Sequence, residues 1–418
     1  MGYNRAMEQY QVLIIGGGAS GLMLANALPK DISVLLLESG SRVGKKLSAT
    51  GNGQGNITNL HAIKGGYFSA SKKGEMLAEK IIQNYPPEAL IKDFERLGVL
   101  TVSDDKGRVY PASRQASSIT DALRFALAEK KIKLKTDSKA LSIAKNQKGF
   151  LVEYETKDEK CQAQANQIVL CAGGNVAKNF GTDGNGYRLA QSFGHTLTKT
   201  YPSLVQLKTD TTHTKTLKGI RVTDAILTAT WQTQEEEKNI AVKGDVIFTD
   251  YGISGDAVFK LSAYVTDKID KNVTLHIDFM PDFSKEYLKK ALYVKEAVFK
   301  SLDKTELLFG LVNHQIGRAI IKRSAEDLDK AVALVKDFTL SLVGHLGADY
   351  AQVTKGGVAM TEVEDTLESK LVKGLYFAGE ILDVDGACGG YNLQWAYASA
   401  KTVAKAITQK YIEYGVQV

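Results

Sequence analysis

Residues 10–21 read Tyr-Gln-Val-Leu-Ile-Ile-Gly-Gly-Gly-Ala-Ser-Gly, an apolar run that breaks into Gly16-x-Gly18-x-x-Gly21. A second apolar run, Ser33-Val-Leu-Leu-Leu-Glu38, closes on an acid seventeen positions after Gly21. This is a dinucleotide-binding signature in which each residue type has a physical task. Gly16 permits a tight strand-to-helix turn, Gly18 lets the backbone approach a pyrophosphate, and Gly21 lets the helix lie close to the strand. The helix opening through Ala19 and Ser20 offers unpaired N–H groups and the positive end of its dipole to the diphosphate. Glu38, followed by Ser39, accepts hydrogen bonds from ribose hydroxyls and would repel a 2′-phosphate, which favours FAD or NAD over NADP. The context supports the motif: it follows a strand, opens a helix expected over 22–28 and ended by Pro29, and leads to a strand with a terminal acid.

A chain of 418 residues is too long for one ordinary core, so two or three domains are expected. Hydrophobic content of 44% and charged content of 24% are those of a globular protein. No apolar stretch reaches the length of a membrane span, and the N-terminus lacks the apolar core of a signal peptide, so the reading is a cytoplasmic protein with no membrane partner. The first six residues precede Met7 and fit no element. The net charge of +6 comes from 53 basic and 47 acidic residues spread evenly, a solvated surface rather than a nucleic-acid footprint. The three cysteines, Cys161, Cys171 and Cys388, form no CxxC pair, and the six histidines form no HxH or HxxxH. A redox dithiol and a metal centre therefore have no support.

Further along, residues 39–59 are rich in Gly, Ser, Asn and Lys without hydrophobic period, and a structureless stretch of that length is usually functional. Helical spacing follows at 73–84, 87–97 and, after Ser118-Ile-Thr120, at 121–130. Residues 132–170 alternate as a meander of about three strands that breaks at Ala172-Gly173-Gly174. Residues 196–283 carry period-two stretches suited to a β-barrel or sandwich, and 284–345 return to helical spacing. A strand over 374–378, the loop Gly379 to Tyr391 and a helix from 393 to about 414 close the chain. The fold class is thus α/β: a two-segment Rossmann-like FAD-binding domain (1–195 and 353–418) with an inserted β-rich domain (196–283 and about 346–352) and a helical subdomain (284–345). The cofactor is long, so chain distant from Gly16 must meet its far end. Gly379-Glu380 would place an acid near the ribityl hydroxyls, and the helix behind Gly389 and Gly390 would aim its N-terminus at the O2/N1 edge of the flavin.

Taken in order, Gly16-Gly-Gly-Ala-Ser-Gly21, Gly44-Lys-Lys-Leu47, Thr50-Gly-Asn-Gly-Gln-Gly-Asn56 with Thr58-Asn59, Tyr110-Pro111, Leu170-Cys-Ala-Gly-Gly174, Gly181-Thr-Asp-Gly-Asn-Gly186, Gly252-Ile-Ser-Gly255, Gly356-Gly-Val358 and Gly379-Glu-Ile-Leu-Asp-Val-Asp-Gly386 with Gly389-Gly-Tyr-Asn392 resemble the bacterial aminoacetone oxidase/BaiN-like family of FAD-dependent flavoproteins. The resemblance implies the three-part architecture just described. It also implies that the segment holding Gly44, Lys45, Lys46, Leu47, Gly51, Asn52 and Gly53 wraps the flavin, that Ala140 lies on the adenine side, and that Ala172, Gly173, Gly174, Gly379, Glu380, Gly389, Gly390, Tyr391, Asn392 and Leu393 complete the cofactor site. One departure stands out: the family has Arg and Cys where this chain has Gln54 and Gly55.

A flavin brings its own redox chemistry, so the protein need supply only a shaped, dry site and local charge. With no covalent attachment motif, non-covalent FAD is expected. The first functional expectation, following the resemblance, is an oxidase that takes a small primary amine such as aminoacetone and O2 to methylglyoxal, ammonia and H2O2. A cation near the flavin would favour the oxygen step, and Lys45, Lys46, Lys260 and Lys355 are its candidates, each with a solvated surface lysine as the ordinary alternative. The second expectation is a reductase passing electrons from NAD(P)H to an unsaturated acceptor. Its weakness is the single GxGxxG, although nicotinamide can bind without that motif. The third is a flavin-bearing accessory protein without small-molecule turnover. Tyr391 is a candidate cap for the substrate pocket. Trp395, His195, His276 and His314 read as structural, and Cys388 as inert.

Overall fold

The structure is a computed structural model that describes residues 7–157 and 159–413. The first six residues and Tyr414 therefore lie outside the described residues. The chain forms two compact units, one of residues up to Thr200 together with those from Val353 onward, the other of Tyr201–Gln352.

The first unit is built on a seven-stranded sheet. Its order is Lys133–Lys135, Val34–Leu37, Glu8–Ile15, Lys160–Leu170, Gly149–Glu155 and Lys139–Asn146, with Leu375–Phe377 paired to Lys160–Leu170. Besides its parallel pairing with Glu8–Ile15, the strand Lys160–Leu170 shares its other edge between two neighbours: it runs antiparallel to Gly149–Glu155 up to Ala165, then parallel to Leu375–Phe377 from Ile168. Val34–Leu37 is buried along its whole length, the continuous apolar pattern of a parallel strand covered on both faces. Each such aliphatic side chain contributes about 1.5–3 kcal/mol of burial. Register fixes where the glycine loop falls. Ile15 lies opposite both Leu37 and Leu170, so Gly16 emerges at the carboxyl edge between two neighbours, donating its N–H to Leu37 O at 2.8 Å. A ligand crevice forms at this edge in doubly wound sheets.

Helix Ala19–Ala27 begins directly after Gly18, three residues before the expected start, because the glycines belong to the turn rather than to a longer loop. Helix Tyr391–Glu413 packs across it, and Trp395, fully buried, donates its indole N–H to Gly379 O at 3.1 Å. Its start is also earlier than the sequence suggested. Helix Ala116–Glu129 likewise begins two residues before Ser118, with Gln115 as its cap. Of the strands expected over 132–170, the first is not part of the meander but a parallel edge strand beside Val34–Leu37.

The second unit is a closed barrel of six strands in the order Leu207–Thr209, Gly252–Ser254, Glu237–Phe248, Arg221–Gln232, Thr274–Asp278 and Phe338–His345. Leu227, Ala229, Phe248, Leu275, Ile277 and Phe338 fill it, and helices Lys285–Val298, His314–Arg323 and Leu328–Lys336 pack against that core. Two expectations are corrected here. The helical stretch ends at Lys336, because Phe338, Leu340 and Leu342 alternate inward as the strand that closes the barrel. Residues near 346–352 hold a short 3-10 turn, Ala348–Tyr350, in place of a strand. Among the described residues, no helix is long and apolar enough to cross a membrane.

Candidate functional site

Three peptide segments meet at the carboxyl edge of the large sheet. The turn at Gly16 has φ +110°, and a Cβ there would stand 2.4 Å from Cys171 O. A Cβ on Gly21 would stand 1.9 Å from Gly16 O, so strand and helix are in contact through glycine. At Gly18 the result is the opposite: an added Cβ meets no atom within 4 Å. Backbone exposed to open space, followed by a helix with no side-chain cap and no acid in its first turn, is the environment a diphosphate needs. Glu38 stands beside it, accepting the N–H of Gly17 at 2.8 Å and of Gly40 at 2.6 Å. Ser39 Oγ reaches the same carboxylate at 3.5 Å. These donors orient the carboxylate and leave lone pairs for ribose hydroxyls.

The next loop is tied to the Glu38 segment: Ser138 donates its N–H to Glu38 O at 2.8 Å and Asp137 to Gly40 O at 2.9 Å, with Ala140 buried two residues later. On the other side of Gly16, Ala172, Gly173 and Gly174 follow the strand Lys160–Leu170. A Cβ on Gly174 would stand 2.0 Å from Thr354 Oγ1 and 2.9 Å from Glu380 Oε1. Thr354 donates its N–H to Glu380 at 2.9 Å, and Lys46 Nζ meets the other carboxylate oxygen at 2.7 Å. Gly379 has φ +80°, and a Cβ on it would press Ser20 Oγ at 2.6 Å. The far acid is thereby set over the first turn of helix Ala19–Ala27. The residues fit FAD: an open cradle for the diphosphate, an oriented ribose acid and a second acid placed by chain more than three hundred residues away.

The wrapping segment is tied down at both ends. Gly44 donates to Gly17 O at 2.8 Å, and Leu47 is buried. The turn from Gly51 to Gly55, exposed up to Gln54 and buried at Gly55, is held by Ala116 N–H on Gly53 O at 2.8 Å, with Asn52 in the left-handed region at φ +56°. The departure at position 55 has a structural counterpart. Gly55 has φ +77°, and a Cβ there would meet the Ala116 backbone at 2.9 Å, so this turn is shaped for glycine and a cysteine would require another path.

The C-terminal motif is explained by packing. A Cβ on Gly390 would stand 2.3 Å from Thr58 O, whereas one on Gly389 would make ordinary contacts, with the Arg108 side chain at 3.5 Å and Asn59 Nδ2 at 3.9 Å. Asn392 spends its amide on Gly386, accepting its N–H and donating to its carbonyl, both at 2.8 Å. Leu393 is partly buried. Asn59 and Thr58, to which the motif order gave no role, hold this end in place. Asn59 donates to Gly389 O at 3.1 Å, and Thr58 donates to Gln394 Oε1 at 2.6 Å. Tyr391 lies at the helix start with its ring tilted against Tyr67 at 5.8 Å.

Two of the lysines offered as a flavin-side cation are held in ion pairs. Lys46 is paired with Glu380. Lys260 lies in the second unit on helix Asp256–Val265, paired with Asp256 at 2.6 Å. Lys45 Nζ is at the ribose end, 2.9 Å from where a Cβ on Gly40 would be. Burial raises the Asp383 carboxyl above its usual range, and the charge of Lys355 opposes part of that rise. Cys171 is fully buried, and that burial pushes its thiol up to about 12. His195 is structural: Nδ1 faces Glu362 at 3.1 Å and Nε2 faces Ser369 Oγ at 2.8 Å. Ser369 already accepts two backbone N–H groups, from Leu371 and Val372, so its hydroxyl donates to Nε2 and Nδ1 carries the proton toward Glu362.

A family model described as HI0933-like protein Rossmann domain matches residues 10–406. A 3-dehydro-bile acid delta(4,6)-reductase from Clostridium scindens is 33% identical, covering 95% of this chain and 98% of the relative. A ribosomal RNA dihydrouridine synthase from Escherichia coli is 28% identical over 96% of this chain and 98% of its own length. Among solved structures, the open conformation of a flavocytochrome c3 fumarate reductase matches with a TM-score of 0.50 at 14% identity, over 96% of this chain and 78% of that one, a likeness of fold.

Proposed function

The chain belongs to the HI0933-like Rossmann-domain family and is an FAD-dependent oxidoreductase, and from that premise we propose that it reduces a carbon–carbon double bond conjugated to a carbonyl group in a small molecule. The observation that carries this reading is what the two relatives' names have in common. A 3-oxo steroid with unsaturation at positions 4 and 6 and a uracil converted to dihydrouracil both present a C=C bond in conjugation with C=O. The site agrees on one point of charge. An amine oxidase reading drew on a cation near the flavin from Lys45, Lys46, Lys260 or Lys355, and two of these, Lys46 and Lys260, are each paired with a carboxylate.

Bound flavin would supply the two-electron chemistry, with the balance NAD(P)H + H⁺ + enone giving NAD(P)⁺ and the saturated ketone. The chain's part is to bind and orient. The first turn of helix Ala19–Ala27 and the open backbone at Gly18 would hold the diphosphate, Glu38 would hold the ribose, and Glu380, fixed by Thr354 and Lys46, would serve the ribityl hydroxyls. The even surface charge favours a free small molecule over RNA as substrate. The test is steady-state NADH or NADPH consumption with a 4-en-3-one steroid, with the product identified by mass as a gain of two hydrogens. Nucleotide-independent H2O2 production from aminoacetone, with no reaction of the enone, would replace this reading with the oxidase.

A further inference from the structure

Residues 110–118 read Tyr-Pro-Ala-Ser-Arg-Gln-Ala-Ser-Ser. Arg114, at their centre, has φ +52°, a left-handed conformation that a residue other than glycine adopts rarely. The turn that imposes it is closed by Arg114 N–H on Pro111 O at 2.8 Å, and the hydroxyls of Ser113 and Ser118 meet across its exit at 2.8 Å. The guanidinium lies over the ring of the buried Tyr110, 4.3 Å from its centroid. Held there, the planar group keeps N–H donors at its rim for a forked contact with an anion.

The side chain is both fixed and reachable, since Arg114 is exposed. Asp104 is spent on Arg108 and Asp121 on Arg124, and residues 106–120 contain no acid. Among the described residues no carboxylate is paired with Arg114. Its neighbours set its place. Two residues on, Ala116 donates to Gly53 O at 2.8 Å, which ties this turn to the segment expected to wrap the flavin. On the other side stands the loop that leads into helix Tyr391–Glu413. Burial raises the Tyr110 phenol above its usual range, and Arg108, Asp104, Arg114 and Cys388 act on it by charge. The stem of Arg108 is 3.5 Å from where a Cβ on Gly389 would be. A cation with no acid beside it is therefore open to solvent and bordered by two of the segments expected to hold FAD.

A nicotinamide donor needs such a group. Its diphosphate is an anion, NADPH adds a 2′-phosphate, and the single GxGxxG of this chain is committed to FAD. We propose that Arg114 binds a phosphate group of NAD(P)H and so holds the electron donor at the flavin domain. The inference rests on the enone reductase reading and supplies its donor site.

The experiment uses the FAD-loaded protein, Arg114→Gln, Arg114→Lys and, as a control, Arg124→Gln, which removes an exposed arginine from the helix that follows. Dissociation constants for NADP⁺ and NAD⁺ are measured by calorimetry, without turnover, together with FAD affinity and Tm. Anaerobic stopped flow adds the limiting rate of flavin reduction by NADPH and NADH. Arg114→Gln should weaken the nucleotides by about ten- to a hundredfold, the size of a hydrogen bond to a charged group. Arg114→Lys, a point charge without the fork, should weaken them less. FAD affinity, Tm and the limiting rate should stay as in the parent, and Arg124→Gln should bind like it. Weakening of NADP⁺ alone places the guanidinium on the 2′-phosphate, and weakening of both places it on the diphosphate; either supports the proposal. Unchanged affinity for both, in a parent that binds them, overturns it and leaves the reductase reading intact. Equal losses in Arg114→Gln and Arg124→Gln overturn it in favour of the general surface charge. A matching loss of FAD affinity or Tm overturns it by assigning the arginine to the cofactor or the fold. Weaker binding of a carboxylate-bearing 4-en-3-one with unchanged nucleotides overturns it by assigning the arginine to the substrate. A parent flavin that neither NADH nor NADPH reduces removes the reductase reading, and this one with it.

Discussion

Replacing Gly18 with valine separates nucleotide binding from folding more sharply than any other single change at this site. A Cβ on Gly18 meets no atom of the protein within 4 Å, and φ there is −78°, a value any residue adopts. The cost to the apoprotein is therefore limited to trading glycine for a poorer cap, under about 1 kcal/mol, or roughly 2–4 °C in Tm for a domain of this size. The cost to FAD is larger. The side chain fills the space through which the diphosphate approaches the N–H groups of Ala19 and Ser20. Losing two hydrogen bonds to a charged group is worth about 3–6 kcal/mol, a loss of about two to four decades in affinity. Fluorescence titration of apoprotein with FAD, alongside thermal melts of the apo forms, reads both quantities. Gly21→Val is the contrast, because a Cβ there stands 1.9 Å from Gly16 O and the fold itself should fail. A folded Gly18→Val protein that binds FAD like the parent would refute the placement of the diphosphate.

Glu38→Ala should weaken FAD by about 1–3 kcal/mol, the cost of hydrogen bonds to a charged group, while FMN, which lacks the adenosine ribose, competes equally well in both proteins. Lys46→Met removes the partner of Glu380, whose side chain is only 21% exposed. It should lower stability by about 1–2 kcal/mol, between the values for surface and buried pairs, and Glu380→Gln in the same background should recover most of it in a double-mutant cycle. O2 consumption should not change in step with the Lys46 charge. His195 gives a pH signature: burial lowers its proton affinity and Glu362 only partly opposes that, so the unfolded chain binds the proton more readily. Stability from this group is therefore complete above the unfolded value near 6.5 and falls as pH drops below it. Melts between pH 5 and 8 should show a slope that His195→Gln reduces, and an unchanged slope would remove His195 from the account.

The nucleotide half of the site was legible because its physics is local. Gly16, Gly18, Gly21 and Glu38 lie within one strand–helix–strand unit, and each glycine has a contact or an opening that spacing alone implies. What spacing does not encode is long-range pairing: Lys46 with Glu380, Thr58 with Gln394 and Asn59 with Gly389. Asn392 and Gly390, expected at the flavin, likewise have framework neighbours that spacing does not show, Gly386 for one and Thr58 O for the other. The helical boundary failed for a different reason. Phe338, Leu340 and Leu342 carry a clear period-two signal, but a short strand after three helices reads as their continuation until the barrel it closes is seen.

Anaerobic half-reactions test the central claim most directly. The holoprotein should lose its visible flavin band on addition of NADH or NADPH, and a 4-en-3-one should restore the band without oxygen while yielding the saturated ketone. Aminoacetone should leave the band untouched. Bleaching by aminoacetone, with colour and H2O2 returning only when air is admitted and no response to the enone, would contradict reduction of a conjugated double bond as the work of this protein.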